Sequence, residues 1–256
     1  MLDLQTAYIS RVGGRSRNED ACGYWTSDEG CCWVVSDGAG GHGHGDRAAQ
    51  IVVSTVLESF SRLPVVGEAE AIALLESAQT AVMAEKTASQ DGNDMHATAA
   101  ILLVDAKRQQ AVWSHVGDTR IYHFHNHTLL HQTRDHSLVQ NMIDGGYYHT
   151  DICRSHPLRN LLTSSIGNAD DLAPTVSGIP IAIAPGDTFL ICSDGWWEYI
   201  DELQMAAELT SAESSAEWLE RMAEIIEATN NQNSDNFTAI SLQVHKPIDE
   251  ITVVLP

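Results

Sequence analysis

Six short runs of apolar residues bounded by turn residues read as β-strands: TAYISRVG, CWVVSD, HATAAILLVD, AVWSHVGD, DTFLICSD and FTAISLQV. Between them the period changes. Ala49, Val52, Val53, Val56 and Phe60 recur at helical spacing, and Ile72, Leu75, Ala78 and Val82 form a second stripe beyond the break around Pro64 and Gly67. A third helix is predicted from Ser214, with Glu217 three residues on in capping-box spacing, ahead of Trp218, Leu219, Met222, Ile225 and Ile226.

Helices therefore cluster between groups of strands. A parallel sheet needs a helix between most successive strands, so the order predicts an α+β fold with largely antiparallel sheets. The segment AVWSHVGDTRIYHFHNHTLLHQ reads as a hairpin turning at Gly117 and Asp118, followed by another strand. No repeat, low-complexity tract or long linker divides the 256 residues, so one domain spanning 1–256 is expected.

Composition narrows the function classes. With 14 basic and 35 acidic residues the net charge is −21, which repels nucleic acid and anionic membranes. No apolar run reaches the ~18 residues of a membrane span, and the N-terminus lacks a signal-peptide pattern. Five scattered cysteines make neither a disulfide framework nor paired zinc knuckles. A cytoplasmic location is expected.

Four places set an Asp beside Gly or Asn at the end of an apolar strand or just ahead of one: Val34-Val35-Ser36-Asp37-Gly38, Val116-Gly117-Asp118 and Ile191-Cys192-Ser193-Asp194-Gly195 at strand ends, and Ser234-Asp235-Asn236 ahead of FTAISLQV. Singly, such pairs are turn formers. Converging in one cleft, the carboxylates would repel one another, and hard divalent cations such as Mg²⁺ or Mn²⁺ would resolve the conflict.

Seven segments in order, Arg15-Ser16-Arg17-Asn18-Glu19-Asp20-Ala21, Ser36 to His42, Val116 to Arg120, Thr133 to Ser137, His156 to Thr163, Ser193 to Trp196 and Ser234 to Thr238, resemble the metal-dependent protein phosphatase 2C family, most closely its bacterial branch. That resemblance implies a four-layer α-β-β-α sandwich with two central antiparallel sheets around a centre of two Mn²⁺ or Mg²⁺ ions. Asp37 would bridge both ions, the carbonyl of Gly38 would bind one, and Asp194 and Asp235 the other. Glu19 and Asp20 match acidic positions that hold metal directly or through water, and Asp118 matches a ligand of a weaker third site. Arg15 corresponds to the arginine that grips the substrate phosphate. The implied reaction is hydrolysis of phosphoserine and phosphothreonine on proteins, with an ion-activated water attacking in line. The implied partners are a phosphorylated protein and an opposing bacterial serine/threonine kinase, and a monomer is expected.

The chain departs from the family in places. Animal relatives carry a histidine directly after the Asp-Gly, where this chain has Ala39, which leaves the proton donor to the leaving group unassigned. His42 and His44 are nearby but read as surface residues of a glycine-rich turn. Ala97-Thr98-Ala99 replaces a usual Gly-Thr-Thr, and Thr163-Ser164-Ser165-Ile166-Gly167 lacks a usual arginine; neither is expected to touch a ligand position. The stretch 138–159 matches a mobile flap, where Gly145, Gly146, Tyr147 and Tyr148 are the expected source of selectivity.

Competing readings weigh less. Gly38 to Gly43 satisfies a GxGxxG pattern, but an Asp before the first glycine would oppose a pyrophosphate and the βαβ alternation is missing. His123, His125 and His127 fall on one strand face with no carboxylate partner in view, and are expected to be solvated rather than to bind metal. Trp196 and Trp197 read as core and cleft wall. A silent phosphoprotein-binding scaffold should have lost a metal carboxylate, and an anti-anti-sigma phosphatase would differ only in substrate.

Overall fold

The computed structural model describes residues 2–40, 44–89, 94–168, 172–229 and 234–246. Two antiparallel sheets lie face to face. One runs in the order β1 (Asp3–Arg11), β12 (Phe237–His245), β11 (Asp187–Cys192), β7 (Arg120–His125), β8 (Thr128–Gln132). The other runs β10 (Ile181–Ala182), β6 (Gln110–Val116), β5 (Ala99–Asp105), β3 (Cys31–Ala39), β2 (Asp20–Thr26), with β4 (His96–Ala97) on β3 and β9 (Thr175–Val176) on β6. Helices α1 (His44–Arg62) and α2 (Glu68–Ala88) cover the second sheet, and α5 (Glu202–Ser211) and α6 (Ser215–Thr229) cover the first. The result is an α+β sandwich of four layers, as expected.

Layering explains why the strands read as nearly continuous apolar runs. In β3, Cys32 and Val34 pack under α1 and α2 while Cys31, Trp33 and Val35 point between the sheets. In β12, Phe237 and Ala239 face α6, and Ile240, Leu242 and Val244 face the other sheet. Both faces of these strands are buried, and each large side chain so placed stabilises the fold by ~1.5–3 kcal/mol.

The predicted helices are all present, and longer than their apolar stripes. Ser214 caps α6 by accepting from the Glu217 amide at 3.2 Å, while the Glu217 carboxylate reaches back to the Glu213 amide at 2.8 Å. Helix α5 was not foreseen, although its signals are local: Asp201 accepts from the Gln204 amide at 2.8 Å, and Met205 and Leu209 form a short apolar stripe.

The expected hairpin at Gly117 and Asp118 is not formed. β6 and β7 belong to different sheets, and Gly117 to Thr119 carry the chain across. Gly117 has φ +95°, and a Cβ there would meet Thr98 Cγ2 at 2.5 Å, so the crossing demands glycine. The hairpin falls one strand later, between β7 and β8, where Asn126 and His127 both take positive φ (45° and 65°). His127 therefore leaves the strand face. The solvated reading also fails for His123, which is buried between the sheets and stacked on Phe189 at 4.4 Å. Its Nε2 and His125 Nδ1 both meet Asp187 Oδ1, at 3.0 and 2.8 Å. That carboxylate comes from β11, opposite His125, where strand spacing within β7 could not reveal it.

Just past the crossing, buried Arg120 makes a two-pronged pair with Asp135 at 2.8 Å per contact and stacks 3.6 Å over the Trp197 ring. Trp197 in turn donates from Nε1 to the Asp118 carbonyl at 2.9 Å. Breaking a buried pair strands a charge. Arg120→Met should lower unfolding stability in urea by about 3–5 kcal/mol, and the double change R120M/D135L should recover much of it.

Candidate metal centre and phosphate cleft

The sheets end together at one edge of the sandwich, and there the acidic strand ends meet. Asp37 lies near the end of β3 with Asp20 paired opposite it on β2. Asp118 lies in the crossing between sheets. Asp194 opens the short helix α4 (Asp194–Trp197) directly after β11, and Asp235 precedes β12, the neighbour of β11. A cleft of about 650 Å³ is lined by Arg15, Glu19, Asp37, Gly38, Asp118, Asp194 and Asp235 together. Asp20 is placed behind this group, accepting from the Ser193 hydroxyl at 2.8 Å and so tying β2 to the turn before α4.

Backbone packing fixes the Asp-Gly step of β3. A Cβ on Gly38 would lie 2.0 Å from the Gly45 carbonyl oxygen and 2.7 Å from that of Glu19. Asp37 is held from the side by Thr98, whose Oγ1 accepts from the Asp37 amide at 3.0 Å and whose own amide donates to the Asp37 carbonyl at 2.8 Å. The Ala97-Thr98-Ala99 segment thus does touch a ligand position, contrary to expectation, because β4 and β5 pair with β3 on the side away from β2. Ala97 and Ser165, from the two departing segments, also line the cleft.

Asn236 stands in the Ser234-Asp235-Asn236 motif, where the sequence alone assigns it no role beyond the turn. Its amide nitrogen donates to the Val12 and Arg17 carbonyls at 2.7 and 2.8 Å, and its side-chain oxygen accepts from the Glu19 amide at 2.8 Å. One side chain thereby shapes the loop that presents Arg15 and Glu19. Arg15 itself is more than half exposed, with Nη2 donating to Asp235 Oδ2 at 2.7 Å.

The carboxylates are in electrostatic conflict. Burial pushes Asp37 and Asp194 well above the usual carboxylate range, reinforced for Asp37 by Asp20 and for Asp194 by Asp118. Burial likewise raises Asp118 to about 7 and Asp20 to about 6, and raises Glu19. Asp20 Oδ1 and Asp194 Oδ1 are buried with no hydrogen-bond partner among the described residues. Carboxylates that repel one another and leave oxygens orphaned fit hard divalent cations.

Other expected features fall elsewhere. His44 begins α1 and does not line the cleft, and His42 lies outside the described residues. His96, not singled out from the sequence, does line it; burial and then Lys86 push its imidazole below the usual value, against an opposing pull from Asp94. The GxGxxG reading fails because β3 has antiparallel neighbours on both sides. Trp196 and Trp197 are buried in the core, and neither lines the cleft. In the 138–159 stretch, Arg154 anchors to the Trp197 carbonyl and Glu202, at 2.9 and 2.7 Å, while Tyr147 and Tyr148 are exposed and do not line the cleft; Asn160 and Leu162, just beyond, do.

The raised carboxylates predict a metal-linked pH dependence. Protonated forms are favoured in the folded chain, so their stabilising contribution is complete below the unfolded value near 4 and is lost as pH rises through about 6 and 7. Metal-free Asp118→Asn should melt a few degrees above wild type at pH 8, with the gap closing toward pH 5 in thermal denaturation.

A protein phosphatase 2C family model matches residues 10–237. A putative protein phosphatase 2C-type from Streptococcus pyogenes is 31% identical over 249 residues, covering 93% of this chain and 95% of its own. The Mycobacterium tuberculosis serine/threonine phosphatase PstP/Ppp superposes with a TM-score of 0.83 at 25% identity, covering 96% of this chain and 100% of that one. The catalytic domain of serine/threonine protein phosphatase PstP, in complex with 2 manganese ions, superposes at 0.80 with 24% identity, covering 96% and 100%. The match of nearly the whole chain, on a fold of two antiparallel sheets with the acidic strand ends gathered at one edge, shows that this protein belongs to the protein phosphatase 2C family.

Proposed function

We propose that the cleft hydrolyses phosphoserine and phosphothreonine on proteins with two bound Mn²⁺ or Mg²⁺ ions, opposing a bacterial serine/threonine kinase. The observation that carries this reading is the gathering of Asp37, Asp118, Asp194 and Asp235 in one cleft with a buried, unpartnered Asp194 oxygen. Asp37, the Gly38 carbonyl, Asp194 and Asp235 are the proposed ligands of the two ions, with Asp118 serving a weaker third and Glu19 and Asp20 supporting the set. Bound there, the ions would activate water and offset the charge of the phosphoryl group in transfer.

The chain's own residues position the substrate. Arg15 presents a planar fork to the phosphate, and its present partner Asp235 keeps it over the cleft. Ligand charge on Asp235 would weaken that pair and free the guanidinium for phosphate. Thr98 fixes the direction of Asp37, Asn236 shapes the loop carrying Arg15, and Ser193 holds Asp20. Long-range repulsion by a chain of charge −21 is overcome locally, because the cleft combines the cations with Arg15. No described helix is long and apolar enough to cross a membrane. A monomer acting in the cytoplasm is part of the same proposal.

Release of phosphate from a phosphothreonine peptide, by metal-stripped protein with Mn²⁺ or Mg²⁺ restored, tests the reading. Asp37→Asn and Asp194→Asn should each lower turnover by about 10³-fold or more with near-native circular dichroism. Arg15→Ala should raise KM by about 10–100-fold, the loss of charged hydrogen bonds to phosphate. A metal-loaded wild type that binds the peptide and releases no phosphate would instead be the regulatory scaffold.

A further inference from the structure

The reaction leaves one proton to be supplied. When the bond from phosphorus to a serine or threonine oxygen breaks, the electron pair stays on that oxygen, and the strongly basic alkoxide must be protonated as it departs. Of the carboxylates that line the cleft, all but the exposed Asp94 belong to the proposed metal set, and the Arg15 guanidinium does not release its protons. Among the described residues that line the cleft, His96 supplies the one imidazole.

Strand register puts that imidazole on the reacting face. Asp37 and Ala39 lie two residues apart on β3 and so project to the same side. Ala39 pairs directly with His96 of β4, which places the His96 side chain on that side as well. Asp37 and His96 are therefore diagonal neighbours, with backbones about 7–8 Å apart. A phosphate ester bound in the cleft beside Asp37 would have this ring as a neighbour on the same face. Ala39 contributes only a methyl group, too short to occupy the space between. The ring is half-buried and has no hydrogen-bond partner among the described residues.

We propose that His96 is the catalytic proton donor to the departing serine or threonine oxygen, an assignment that rests on the phosphatase reading of this cleft. The oxygen of a water forms the new bond to phosphorus and the bond to the ester oxygen breaks. The electron pair left on the ester oxygen takes the imidazolium proton. The proton lost by the attacking water returns through solvent to recharge the ring, so water is the sole co-reactant.

The test compares wild type, His96→Gln and His96→Gly, manganese-loaded, on a phosphothreonine peptide, phenyl phosphate and p-nitrophenyl phosphate. His96→Gln should lower kcat on the peptide about 10²-fold, less on phenyl phosphate and least on p-nitrophenyl phosphate, whose acidic phenol departs with least need of a proton. Added imidazole should restore part of the peptide turnover of His96→Gly. Manganese affinity by calorimetry should stay at the wild-type value in both variants. An equal loss on all three esters, no loss on the peptide, or weakened manganese binding would overturn the proposal. A wild type that cleaves none of the three would bring down the phosphatase reading itself, and the proposal with it.

Discussion

Burial of several carboxylates beside one another is the constraint around which this protein is arranged. Burial raises Asp20, Asp37, Asp118 and Asp194 above the usual carboxylate range, and neighbouring carboxylates add to it: Asp235 on Asp20, Asp20 on Asp37, Asp135 on Asp118 and Asp118 on Asp194. Such an arrangement opposes folding unless packing elsewhere compensates. The compensation is the sandwich, with three apolar layers, one between the sheets and one beneath each helix pair. The acidic edge is the part of the fold set aside for chemistry, and its instability without cations is the same property that gives cations their affinity.

Rigidity at that edge comes from contacts that cross between elements. Thr98 holds the Asp37 backbone from both directions, Ser193 joins Asp20 to the turn before α4, and Asn236 clasps the loop that bears Arg15 and Glu19. Below them, Arg120, Asp135 and Trp197 connect the crossing at Asp118 with helix α4, whose first residue is Asp194. Asp37, Asp20, the loop bearing Glu19, and the backbone at Asp118 and α4 are thereby held by partners from different parts of the chain. That suits a centre whose cations would need oxygen ligands at fixed separations.

Arg15 and His96 lie apart from this rigid set. Arg15 is exposed and paired with Asp235, a partner whose charge a cation would share. His96 comes from the two-residue strand β4, across from Ala39. In the proposed reaction, phosphate recognition and departure of the alcohol would fall to side chains on the rim, while the residues that would fix the cations are locked beneath.

Much of this was legible in the chain order. Apolar runs, helical stripes and the repeated Asp-Gly and Asp-Asn steps are local signals, and they located α1, α2, α6, the acidic positions Asp37, Asp118, Asp194 and Asp235 that share the cleft, and the strands other than β2 and the two-residue β9 and β10. Pairing between distant segments was not legible. The chain crosses between sheets at Gly117 instead of turning back, because burial of both strand faces, not the local Gly-Asp signal, decides which sheet β7 joins. Asp187 meets His123 and His125 only through the β7–β11 register. His96 faces Ala39 only because β4 pairs with β3, and Asn236 binds the loop ending at Glu19 across a separation of more than two hundred residues. Sequence determined which residues are apolar, acidic or turn-forming, since those are properties of each side chain and its neighbours. Tertiary structure decided which of them meet, because hydrogen bonds between strands and the packing of layers are satisfied only by the whole chain.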